Sequence, residues 1–175
     1  PSYIAAVLEN YPDAEIVFDH FHVIKMYNDK LSDLRRDLYH EATGPLQKKV
    51  LKGTRWLLLK NAERLDSIPN EKKHLEEALK LNEPLALAYY MKEYLRLIWK
   101  QPNKEEAARC LDDWTAKAFS SGIRMLVRFA GTLQVHRRGI LAYYDYPIST
   151  GPLEGTNNKI KTLQKQAYGF RDKEF

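Results

Sequence analysis

Ala14-Glu15-Ile16-Val17-Phe18-Asp19-His20-Phe21-His22 decides the fold class of this chain. Residues 14–18 are β-branched and aromatic at Ile16, Val17 and Phe18, and have the length of a buried strand. Pro12-Asp13 precedes them as a turn, and Asp19 stands at the carboxyl end, the edge where open α/β sheets gather ligands. No other stretch reads as a convincing strand. One strand cannot make a sheet, so its partners are expected outside this chain or in another subunit.

On both sides the apolar period is helical. Ser2 to Asn10 reads as the end of a short helix. Val23, Met26, Tyr27, Leu31, Leu34 and Leu38 recur at spacings of three and four, predicting a helix over 23–39 that Gly44-Pro45 breaks. Further helices are predicted over 46–61, with Gly53 a weak point, and over 71–81, 84–99, 104–119 and 123–140. Asn103 and Ser120-Ser121-Gly122 supply a cap and a break. Tyr143 to Ile148 forms an aromatic linker into a last helix. The expected class is therefore mainly α, with one or two short strands.

Composition narrows the function. Of 175 residues, 44% are hydrophobic and 29% charged, enough apolar material for a real core. The net charge of +5 leans toward an acidic partner such as nucleic acid. Cys110 is the only cysteine, which excludes an internal disulfide and a cysteine-based zinc cluster and fits a reducing cytoplasm. No signal peptide and no membrane-length apolar run is seen. The chain starts at Pro1 and stops at Phe175 within a polar run, as a fragment of something longer would.

The last helix opens with Ser149-Thr150-Gly151-Pro152-Leu153-Glu154-Gly155-Thr156-Asn157-Asn158-Lys159-Ile160-Lys161. A Ser or Thr cap, an early proline and Glu154 in the first turn resemble a capping box, and the helix dipole favours a carboxylate there. The residues after Glu154 are less ordinary: two amides, then Lys159, Lys161, Lys165 and Arg171. One acid at the head of a basic, amide-rich helix suits a metal-binding carboxylate held against a phosphate backbone.

Asp19 and His22, three apart over the strand-to-helix junction, can share a face. Spacing alone favours Asp19 as the cap of the helix beginning near Phe21, since Asp-x-x-His gives too few ligands for a closed metal site. Lys48, Lys49, Lys52 and Arg55 cluster at helical spacing and could touch phosphate. Trp56, Trp99 and Trp114 read as core. No Gly-rich phosphate loop and no nucleophile elbow is present.

Together, Ile16 to His22, Ser149 to Lys161 and Gln166-Ala167-Tyr168-Gly169-Phe170-Arg171-Asp172 resemble the bacterial insertion-sequence transposases of the ISL3 family. Pro12-Asp13-Ala14, Leu51-Lys52-Gly53, Ser121-Gly122-Ile123 and Gly139-Ile140-Leu141-Ala142-Tyr143 match in order, so the resemblance covers essentially the whole chain. It implies a ribonuclease H-like catalytic core with an Asp-Asp-Glu triad and Mg²⁺ or Mn²⁺. Glu154 would be the triad's glutamate and a metal ligand. Asp19 and His22 would form the accessory Asp-x-x-His element, with both catalytic aspartates before Pro1. The other assignment makes Asp19 the second aspartate; the first is preferred because the helix over 2–10 and the strand fit the stretch after that residue.

The resemblance divides the chain into a partial core edge over 1–22, a helical insertion over 23–145 and a core helix over 146–175. Lys159, Lys161, Lys165 and Arg171 would contact DNA, the implied partner as transposon ends and target. A homo-oligomer is compatible, and a bacterial, nucleoid-associated location is implied. With at most one or two of the metal ligands present, this chain alone is expected to be inactive. The competing class is a non-enzymatic helical DNA- or protein-interaction module derived from a transposase. A zinc hydrolase using His20, His22 and an acid is a third.

Overall fold

Several helix boundaries follow from a local signal. The computed structural model describes residues 2–65, 69–148 and 151–166. Helix α1 (Ser2–Asn10) is closed by Tyr11 N donating to Val7 O at 2.8 Å. Helix α2 (His20–Glu41) buries Val23, Tyr27 and Leu31, one side chain per turn, and ends before Gly44. Helix α3 (Pro45–Gly53) starts on a proline, whose missing N–H costs nothing in a first turn. The helix expected over 46–61 stops at Gly53, where the Thr54 hydroxyl donates back to Leu51 O at 3.1 Å. Residues 54–59 are successive turns that bury Leu57 and Leu58.

Short α4 (Ala62–Leu65) and α5 (Pro69–Lys80) come next. Helix α6 (Glu83–Leu97) is capped by Asn82, which accepts from Leu85 N at 3.0 Å, and runs into a 3₁₀ turn over Ile98–Lys100. Helix α7 (Lys104–Ser120) is capped by Asn103, which accepts from Glu106 N at 2.8 Å. The chain then reverses at Gly122, whose φ of 68° only glycine adopts without strain. The single helix expected over 123–140 is two, α8 (Arg124–Val135) and α9 (Arg137–Leu141), because the backbone leaves helical geometry at His136 (φ −102°, ψ 12°). A 3₁₀ turn over Ala142–Tyr144 and helix α10 (Gly151–Gln166) complete the order.

The core is centred on three rings. Tyr27, Trp114 and Phe129 meet edge to face with centroids 5.0 to 6.1 Å apart. The Tyr27 hydroxyl donates to Ala88 O at 2.7 Å and Trp114 Nε1 to Met91 O at 2.8 Å. Each polar tip is thereby satisfied on α6, so α2, α6, α7 and α8 are held by one aromatic cluster.

A second tie is Lys92, 1% exposed, whose ammonium donates to Leu58 O and Lys60 O at 2.7 Å each and lies 3.0 Å from a Glu93 carboxylate oxygen. Burial pushes its pKa down, and Glu93 opposes that. Lys92 thus closes the turn after α3 onto α6.

Among the described residues there is no strand, which corrects the reading of residues 14–18. A ladder needs a partner, and none of the described segments offers one. The segment has no regular secondary structure and, among the described residues, makes one long-range backbone bond, Phe18 N to Gly139 O at 2.9 Å. The mainly α expectation holds. Among the described residues no helix is long and apolar enough to cross a membrane.

Candidate functional site

Asp19 stands where segment 14–18 turns into α2. Its own backbone is extended (φ −63°, ψ 129°), and its carboxylate accepts from Phe21 N at 2.8 Å. This is N-cap geometry, in which an acid satisfies an otherwise orphaned donor and meets the positive end of the helix dipole. The side chain is buried, and His20 Nδ1 lies 3.2 Å from the same oxygen. His22 N donates to Asp19 O at 3.1 Å, which puts the pair on one helical turn. The His22 ring is exposed and edge-on to Phe21, with centroids 6.1 Å apart.

The site is braced from α9. Phe18 sits on Gly139, with its ring 4.9 Å from that of His136. Arg138 forks onto Glu15, Nε to Oε1 at 3.0 Å and Nη2 to Oε2 at 2.5 Å. Residues 15–18 and 138–139 therefore form a neck that clasps the segment before α2 to the last part of the helical body. Beyond Asp19, the His20 ring lies 6.1 Å from both Trp99 and Tyr143, on a cleft of about 380 Å³. Trp99 Nε1 and Asn28 Oδ1 are buried in its wall without a partner among the described residues.

Gly139 makes a test of the neck. A methyl group there would lie 2.5 Å from the Phe18 ring and 2.8 Å from Ile16 O. The backbone carbonyl cannot swing aside as a side chain can. Gly139→Ala is expected to lift segment 14–18 at a cost of about 1–3 kcal/mol, the scale of overpacking. Hydrogen exchange checks this: Phe18 N–H should lose protection while Trp114 Nε1–H keeps it. Unchanged exchange at Phe18 would mean the neck absorbs the methyl group.

Glu154 is the fourth residue of α10, in the first turn where the cap pattern puts it. Its side chain, that of Lys165, and all of Arg171 lie outside the described residues. Lys159 and Lys161 are exposed. Helical geometry puts positions 154, 158, 161 and 165 along one face and position 159 well round from it. Ile160 and Leu163 are also uncovered, at 48% and 57% exposure. Among the described residues none packs extensively on α10. Among them, too, no group of three or more His, Cys, Asp or Glu is close enough to hold a metal ion.

The sequence profile of a transposase family, the DDE-type ISL3 transposases, matches residues 1–175 in full. The chain belongs to the ISL3 family of transposases. It is 36% identical over 166 residues to the transposase for insertion sequence element IS1001 of Bordetella parapertussis, covering 94% of this chain and 40% of that protein. It is 32% identical over 187 aligned positions to the transposase for element IS1557 of Mycobacterium tuberculosis, covering 94% of this chain and 41% of that protein. The chain thus spans about two fifths of the length of these relatives. No solved structure matches it.

Several neighbours of Asp19 escaped the sequence reading. Gly139 carried a usable signal, an isolated glycine inside a helical pattern, which often marks close backbone approach. Trp99 and Tyr143 carried none, because both meet His20 from far along the sequence.

Proposed function

We propose that this chain is the helical part and the last helix of the catalytic domain of a DDE-type transposase, which cuts and joins the DNA of an insertion sequence with Mg²⁺ or Mn²⁺. The observation that carries the reading is the match of the transposase family along all of residues 1–175, with Glu154 at the head of α10. The three-part division into 1–22, 23–145 and 146–175, and a ribonuclease H-like core completed by segments beyond this chain, belong to the same proposal.

In this reading Glu154 would hold a divalent ion together with carboxylates from elsewhere in the protein. Such an ion supplies activation of water or a DNA 3′-hydroxyl and neutralises charge on the leaving oxygen. This chain's own residues do the rest. Glu154 contributes one ligand from a helix start. Asp19, fixed as the cap of α2, holds the neck, and with His22 forms the accessory element beside the core. Lys161 and Lys165, on the Glu154 face, meet the phosphates on either side of the cut, with Lys159 and Arg171 as further backbone contacts. DNA is the partner, and the bacterial cytoplasm at the nucleoid is the place of action.

The isolated chain is expected neither to nick nor to join terminal-repeat DNA in Mg²⁺ or Mn²⁺, whereas the full-length protein does both. Incubating each with supercoiled and linear end-containing DNA, with and without chelator, checks this. Nicking by the isolated chain, or a full-length protein indifferent to chelator, would sink the reading.

A further inference from the structure

Helix α3 and the turn after it carry a second cationic surface, distinct from α10. Lys48, Lys49 and Lys52 are all exposed, and helical geometry sets them within about 100° of arc. Leu51 lies off that arc and is buried. Arg55, also exposed, places its guanidinium 4.7 Å over the ring of Trp56, itself 65% exposed. Among the described residues none of these four cations has a carboxylate within ion-pair distance. Several other surface cations are matched: Lys100 with Glu63, Arg109 with Glu106, Lys117 with Asp113 and Arg137 with Asp112. Glu41 lies beside Gln47 and Val50, round the helix from the lysines.

Arg35 backs the patch from α2. Its Nη1 donates to Leu51 O at 3.0 Å, which pins α3 to α2. Its Nε is buried with no acceptor among the described residues. Burial, then the neighbouring guanidinium groups of Arg55 and Arg36, pull its pKa below the ordinary value. Helix-dipole stabilisation accounts for one lysine in the last turn of α3, but not for three lysines and two arginines together.

We infer that the exposed face of α3 and the Arg55–Trp56 turn seat the sugar–phosphate backbone of duplex DNA. The inference rests on the transposase reading for its choice of polyanion. A helix of nine residues is about 13 Å long, enough for its lysines to reach two or three neighbouring phosphates of a duplex. Trp56 holds the Arg55 guanidinium in place, which lowers the entropy lost when it donates to a phosphate oxygen. Contacts of this kind position DNA and read no bases.

The test replaces Lys48, Lys49 and Lys52 together by Gln in the full-length protein and measures duplex affinity over a salt series. Each lost phosphate contact removes about 0.9 from the slope of log affinity against log salt. The expected slope is shallower by about two to three, with affinity down about tenfold or more at moderate salt, equally for unrelated duplexes, and an unchanged melting temperature. Unchanged slope and affinity overturn the inference, as does a loss confined to one DNA sequence. Metal-dependent cleavage by the wild-type protein is read in parallel. Cleavage with an unchanged slope sinks the α3 seat and spares the transposase reading; a reduced slope without cleavage does the reverse.

Discussion

Glu154→Gln in the full-length protein is expected to lower DNA cleavage and joining by roughly 10³-fold or more, while DNA affinity and its salt slope stay as they were. The amide keeps the size and the helix-start position of the carboxylate but brings no negative charge to a divalent ion. It also leaves the lysines of α10 untouched, so the backbone contacts survive. Glu154→Asp is the informative companion. It keeps the charge and shortens the reach by one methylene, so activity should fall less than with Gln. Single-turnover cleavage in Mg²⁺ and Mn²⁺, beside a binding titration, gives both numbers. If Glu154→Gln cleaves at the wild-type rate, Glu154 is only a helix-capping acid, and the family's triad has been placed on the wrong residue.

Trp114→Ala is expected to cost about 3–5 kcal/mol, the range for deleting a large buried aromatic. Trp114 is fully buried, touches Tyr27 and Phe129, and donates to Met91 O. A domain has only about 5–15 kcal/mol to lose, so the variant should be partly unfolded at 37 °C. Trp114→Phe keeps a ring against Tyr27 and gives up the indole N–H, and should lose about 1–2 kcal/mol. Urea unfolding monitored by circular dichroism measures both. An unchanged midpoint for Trp114→Ala would remove the aromatic cluster from the centre of the fold.

The sequence revealed most where the signal was local. Asn103 and Gly122 punctuate the helices where their chemistry predicts, and Asp19 caps α2 as its spacing suggested. The apolar period found α2 because Val23, Tyr27 and Leu31 face one core. It misread Ile16-Val17-Phe18 because strand propensity describes side chains suited to a half-buried surface. Here the covering surface is α9, not a sheet, and no residue of the segment could announce that. Gly53 was marked as weak, but the turns that follow it are tied down by Lys92, more than thirty residues away, gathering the carbonyls of Leu58 and Lys60. At the candidate site the first-turn position of Glu154 was legible from its cap pattern. The packing of Gly139 under Phe18 was not, because it joins residues from opposite ends of the chain.

Phe18 N reaches Gly139 O, and Arg138 holds Glu15 across 123 positions of sequence. The body they clasp, which includes the aromatic cluster, Lys92 and the buried Ile140 and Leu141, is a cassette on a stalk. Closing a loop costs free energy that grows only with the logarithm of its length, so whatever lies below the stalk is almost indifferent to how much protein stands above it. Helices can be lengthened, exchanged or trimmed there without shifting the residues beneath. Such a cassette should also melt as its own unit: residues 18–144 expressed alone are expected to give one cooperative transition. A broad, probe-dependent melt would mean that the body leans on the rest of the protein for its order.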